Sequence, residues 1–102
     1  MKKPAVFLDR DGVVTVEKSY IIDPEGIELI ESSVAMIREF NHRRIDVFIV
    51  TNQSAIARGL MTIAHYLRIQ DHFVSLLNQQ GAQVRKVYFS PYHKDGEVKE
   101  YA

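Results

Sequence analysis

Three short apolar runs constrain this 102-residue chain more than any other feature: residues 5–8 (AVFL), 47–50 (VFIV) and 84–89, the last holding Val87, Tyr88 and Phe89. The first two do not alternate with polar residues, the pattern of strands covered on both faces, as in a parallel sheet between helices. Helical periods separate the runs. Val34, Ile37 and Phe40 recur at helical spacing, with Ser32 or Ser33 available as a cap and the helix reaching about Arg44. A second stripe holds Tyr66, Ile69, Phe73, Leu76 and Leu77, with Thr62 placed to cap it and Gly81 where a helix end takes a left-handed residue. The order strand, helix, strand, helix, strand implies right-handed crossovers and a Rossmann-like α/β fold with a parallel sheet. Pro24 and Gly26 mark turns in an otherwise irregular stretch from 12 to 31, and Gly59 punctuates the loop behind the second strand.

The length suits one small domain and not two. Thirteen basic residues balance thirteen acidic ones, which speaks against a nucleic-acid partner held by phosphate neutralisation. The pairs Lys2-Lys3 and Arg43-Arg44 read as solvated ends of elements. With no cysteine there is neither a disulfide framework nor a thiolate zinc site. No run approaches the roughly 20 apolar residues of a membrane helix. Met1-Lys2-Lys3 leads into proline and a strand that soon meets charge, unlike a signal peptide. A cytoplasmic protein without a membrane partner is expected.

The first run ends in Asp9-Arg10-Asp11-Gly12, and the second in Thr51-Asn52-Gln53-Ser54. Ligands of open parallel sheets bind beyond the carboxyl ends of the strands. Adjacent strands would therefore bring these two polar clusters to one rim. Two acids two residues apart repel, and either a hard cation such as Mg²⁺ or a proton on one of them relieves the repulsion. A protonated acid is also a general acid. Gly12 permits a sharp turn. Thr51 and Asn52 offer a hydroxyl and an amide suited to phosphate oxygens. Asp-Gly is equally a common turn pair, and Thr and Asn end strands well, so either cluster alone is consistent with structure only. Their joint placement favours a site. The four histidines have no metal-ligand spacing and read as solvated; Tyr66, Phe73, Tyr88 and Phe89 read as core.

The segments FLDRDGVV and VTNQSAIARGL resemble the haloacid-dehalogenase-like (HAD-like) phosphatases. The second is the more specific, and is similar to the branch containing D-glycero-D-manno-heptose 1,7-bisphosphate phosphatase and histidinol-phosphate phosphatase. The likeness runs from about Val6 to Gly96. It implies a phosphoric monoester hydrolase of small phosphorylated metabolites, in carbohydrate metabolism or histidine biosynthesis. It implies Asp9 as nucleophile, Asp11 as general acid and base, and Thr51 as ligand of the transferring phosphoryl group. Mg²⁺ would be held by the Asp9 carboxylate and the Asp11 backbone carbonyl. Asn52, Gln53 and Ser54 would line the substrate pocket, with the loop Glu17, Lys18, Ser19 and Tyr20 closing over it. Arg58, though within the motif, is as well explained by a structural ion pair.

Two departures from the family pattern stand out. Where many members carry Cys-Pro-His at the start of a zinc loop, this chain has Ser90, Pro91 and Tyr92, so no zinc is expected. The family also continues into an Arg-Lys pair and a further aspartate, third and fourth motifs that residues 1–102 do not contain. Lys86, Lys94 and Lys99 sit around the third strand and tail, on the wrong side of the sheet to replace that lysine. The chain would be the N-terminal part of one HAD-like domain, apparently incomplete at its C-terminus, with sheet order 3-2-1 and the edge of the first strand bare. A piece of a longer polypeptide, a truncated product folding through self-association or by pairing with the missing part, and a natural phosphate-binding half-domain without turnover all fit. The functional alternative is thus a non-catalytic module that binds phosphate or a partner chain.

Overall fold

In the computed structural model, which describes residues 4–18, 21 and 23–91, three parallel strands form one sheet in the order β1-β2-β3. They are β1 (Ala5–Asp9), β2 (Asp46–Asn52) and β3 (Lys86–Ser90), joined through helices α1 (Glu31–His42), α2 (Ser54–Ala57) and α3 (Ile63–Gln79). The element order matches the expectation, with α2 added as a single helical turn behind β2. Helix α3 starts where its cap predicts: the Thr62 hydroxyl accepts from the His65 amide at 3.1 Å. It ends at Gln79, and Gly81 just past the Gln80 cap takes φ of +76°, the left-handed conformation that glycine adopts without penalty.

Helix α1 is capped differently from the expectation. It begins at Glu31 behind Ile30, which provides no side-chain cap, and stops at His42 rather than Arg44. The Ser33 hydroxyl donates instead to the Val13 carbonyl, tying the helix to the loop after β1.

The register explains where the core lies. Val6 pairs with Val47 and Leu8 with Ile49; Ile49 also pairs with Val87, and Thr51 with Phe89. These side chains share one face, and both long helices pack on it. Val34 and Ile37 of α1 and Tyr66, Ile69, Phe73 and Leu77 of α3 are buried in the same cluster as Val47 and Ile49. Two right-handed crossovers stepping in the same direction leave both helices on the same side.

Among the described residues no helix covers the opposite face, which corrects the reading of doubly covered strands. Phe7 is 61% exposed and Tyr88 43%, so Tyr88 is not a core residue. Phe7 stacks on Phe48 at 5.0 Å, and Phe48 meets Tyr88 at 6.1 Å, making an aromatic row across all three strands. No described residue pairs with the outer edge of β1. No described helix is long and apolar enough to cross a membrane.

Candidate active site

Strand alternation places the two motifs. Val6, Leu8 and Arg10 follow one parity and Phe7 and Asp9 the other. Asp9 therefore ends β1 exposed, and its carboxylate has no hydrogen-bonding or ionic partner among the described residues. Arg10 continues the inward series and is 1% exposed. Beyond it the backbone closes a tight loop: Val14 N–H and Thr15 N–H both donate to the Arg10 carbonyl, at 2.9 and 2.8 Å. Gly12 N–H donates to the Thr15 carbonyl at 2.8 Å. Gly12 sits at φ +83°, so the turn needs a residue tolerant of the left-handed region.

The loop delivers Asp11 into a net of donors. Arg10 Nε donates to its Oδ1 at 2.8 Å and Arg10 Nη2 to its Oδ2 at 3.2 Å, a fork-on-fork pair. Thr15 Oγ1 lies 3.2 Å from Oδ1. From the end of β2, Gln53 Nε2 reaches Oδ2 at 3.5 Å and Thr51 Oγ1 at 2.7 Å. The repulsion expected between the two acids is thus opposed by a cation of the chain itself, buried beneath them.

A cleft of about 310 Å³ opens at this rim, lined by Asp9, Asp11, Thr51 and Asn52, with Glu17 and Lys18 on its wall. A hollow of about 60 Å³ adjoins it, lined in part by Lys18, Gln53 and Ser54. Eight of the predicted site residues therefore come together; Ser19 and Tyr20 lie outside the described residues. Two of the eight differ from the expectation of open pocket residues. Gln53 is 6% exposed and turned toward Thr51 and Asp11. Lys18 donates to the Gly26 carbonyl at 2.8 Å, which bridges the loop rather than leaving the amine free. Lys86 lies on the far strand, 4.9 Å from the Tyr88 ring centre; Lys94, Lys99 and His93 fall outside the described residues. Among the described residues no group of three or more acidic or histidine side chains gathers to hold a metal ion.

Sequence reasoning missed Arg10 and Thr15. The signal for Arg10 was its parity with Val6 and Leu8, which aims its side chain inward.

Beneath the site, Tyr66 is fully buried, its ring 4.5 Å from that of Phe89, and its hydroxyl has no hydrogen-bond partner. Burial pushes its phenol up to about 12, with Arg10 pulling down and Asp11 pushing up by less. The folded state then holds this proton over a pH range where the unfolded chain releases it. The resulting stability is complete below about pH 10 and is lost as pH rises toward 12, about 2–3 kcal/mol in all. Tyr66→Phe is expected to flatten that alkaline decline in thermal denaturation, relative to the wild type.

The described residues have a HAD-like α/β fold. No family model matches the chain. Among solved structures, it superposes with a TM-score of 0.89 on a Mesorhizobium loti protein named as a HAD-like phosphatase, at 37% identity, covering 93% of this chain and 46% of that one. It superposes with a TM-score of 0.83 on D,D-heptose 1,7-bisphosphate phosphatase from B. bronchiseptica, complexed with magnesium and phosphate, at 30% identity, covering 90% of this chain and 52% of that one. In sequence it is 35% identical over 99 residues to the D-glycero-beta-D-manno-heptose-1,7-bisphosphate 7-phosphatase of Yersinia pestis, covering 97% of this chain and 53% of the relative. The chain spans about half the length of the curated relatives it matches.

Proposed function

We propose that this chain is a HAD-like domain, or the N-terminal part of one, that works as a Mg²⁺-dependent phosphatase on a small phosphomonoester. The observation that supports it most is the convergence of Asp9, Asp11 and Thr51 on one cleft from two strands separated by about 40 residues of sequence. A heptose bisphosphate is the substrate class favoured by the named relatives; histidinol phosphate is the alternative suggested by the motif alone.

In this reading the Asp9 carboxylate attacks phosphorus and displaces the ester oxygen, which takes a proton from Asp11 after that carboxylate has left its fork with Arg10 and taken up a proton from solvent. Water then attacks the aspartyl-phosphate, giving its proton to Asp11 and releasing orthophosphate and free Asp9. Thr51 donates to a phosphoryl oxygen, and Asn52 and Ser54 face the substrate with Glu17 and Lys18. Hard oxygen donors at the rim fit Mg²⁺, which binds through one or two carboxylates plus phosphate and water. The Asp9 carboxylate and the Asp11 carbonyl would hold it, and it would neutralise phosphate charge. Isothermal titration of the chain with orthophosphate in the presence of Mg²⁺ tests the reading; binding that Thr51→Val weakens supports it, and no heat of binding overturns it.

The aromatic face and the β1 edge, both uncovered among the described residues, favour a second reading, in which the chain meets another polypeptide. Unpaired edges and exposed apolar patches recruit partners. We take the occupant to be a second copy of the chain, since a formal net charge of zero offers no repulsion between copies. Light scattering after size exclusion is expected to show association that Phe7→Lys reduces; a stable monomer would count against it.

A further inference from the structure

We propose that Gln53 is a positioning residue that sets the direction of the Thr51 hydroxyl and joins the two motifs of the site, rather than a substrate contact. This rests on the phosphatase reading above. The amide is buried, and its Nε2 stands 2.7 Å from Thr51 Oγ1 and 3.5 Å from Asp11 Oδ2. A carboxylate accepts, so the amide presents its NH₂ end to this side and its two protons have two acceptors. Thr51 Oγ1 is then an acceptor toward Gln53. A hydroxyl has one proton and two lone pairs, so the Thr51 proton is left for a group on the other side. That side is the cleft which Thr51 lines with Asp9 and Asn52. A phosphoryl oxygen there is an acceptor only, so the orientation matches it.

The same amide adds a side-chain tie between the two motifs beyond the backbone bond from Arg10 N–H to the Val50 carbonyl at 3.2 Å. Asp11 lies in the turn beyond β1, and Thr51 and Gln53 lie at the end of β2. Arg10 Nε and Nη2 hold Asp11 from below. Gln53, itself anchored by its N–H to the Ser90 carbonyl at 2.8 Å, holds it from the second strand. The brace runs from β3 through Gln53 to both motifs.

Glutamate at this position is the informative change. Its carboxylate cannot donate, so the Thr51 hydroxyl must turn its proton inward, away from phosphate. Gln53→Glu is expected to weaken orthophosphate binding in Mg²⁺ by about 10- to 100-fold, the range for a hydrogen bond to a charged group. In a Thr51→Val background the same change should cost at least about threefold less, because the hydroxyl it acts through is gone and only the repulsion of the added charge remains. Equal losses in both backgrounds, or none in the first, overturn the proposal. A second measurement needs no change at Gln53 and no ligand. In ¹⁵N-resolved NMR of the wild-type chain, a Gln53 side-chain amide proton should exchange slowly and shift on Thr51→Val. Fast exchange, or no shift, overturns the brace. A chain that shows the amide signature but binds no orthophosphate retains the brace and loses the phosphatase reading.

Discussion

Asp9→Asn is expected to remove the proposed phosphatase activity, read with a heptose bisphosphate as substrate, while leaving the fold as it is. The two halves of this expectation come from different parts of the structure. Asp9 is exposed at the end of β1, with no hydrogen-bonding or ionic partner among the described residues. An asparagine of the same shape therefore disrupts no packing and strands no buried group, and the melting temperature should stay within the small range of a surface substitution. Its amide, however, has no carboxylate oxygen with which to form an acyl-phosphate. Loss of a nucleophile costs on the order of 10⁴-fold or more in turnover. Orthophosphate release measured with Mg²⁺ for both proteins, beside their thermal unfolding, checks it. Equal release from both would remove Asp9 from the reaction, and no release from either would leave this chain a binding module.

Much of this arrangement was legible in the residues because local rules governed it. Apolar runs ending in polar clusters located the strand tips, and period-3.6 stripes behind Thr62 located α3, whose cap and the left-handed Gly81 beyond it agree with the structure. The bare face was not legible from runs such as AVFL. Whether a strand is covered on one side or two depends on which way the crossovers step and on what else lies beside the sheet, and neither is a property of the strand. Ser33 looked like a cap because serine caps helices well, but a nearby carbonyl, that of Val13, won its hydroxyl. Gln53 looked like pocket lining for a similar reason: a polar residue after a strand is usually wet. Its burial follows from two acceptors 42 and 2 residues away in sequence, a coincidence that only the tertiary structure creates.

The second large effect concerns stability, and it separates two substitutions at Asp11 that a purely catalytic view would treat alike. Arg10 is buried, its Nη1 has no hydrogen-bond partner, and Asp11 supplies the fork that balances its charge. Asp11→Ala removes that balance and leaves the guanidinium without an ionic partner among the described residues. Breaking a buried ion pair from one side costs about 3–5 kcal/mol, and the 31% exposure of the Asp11 side chain places this case at or below the lower end. Asp11→Asn keeps an oxygen for Arg10 Nε and should lose less. Arg10→Met combined with Asp11→Ala removes the stranded charge altogether and should recover part of the loss, since apolar replacement of a buried pair is often neutral. Urea unfolding of the four proteins reads the order directly: wild type most stable, Asp11→Asn next, and Asp11→Ala least stable, below the double variant. If Asp11→Ala instead matches the wild type, the guanidinium is satisfied by water and the fork has no part in holding the loop, so Asp11 would be free to swing toward a leaving group without first giving up a structural bond.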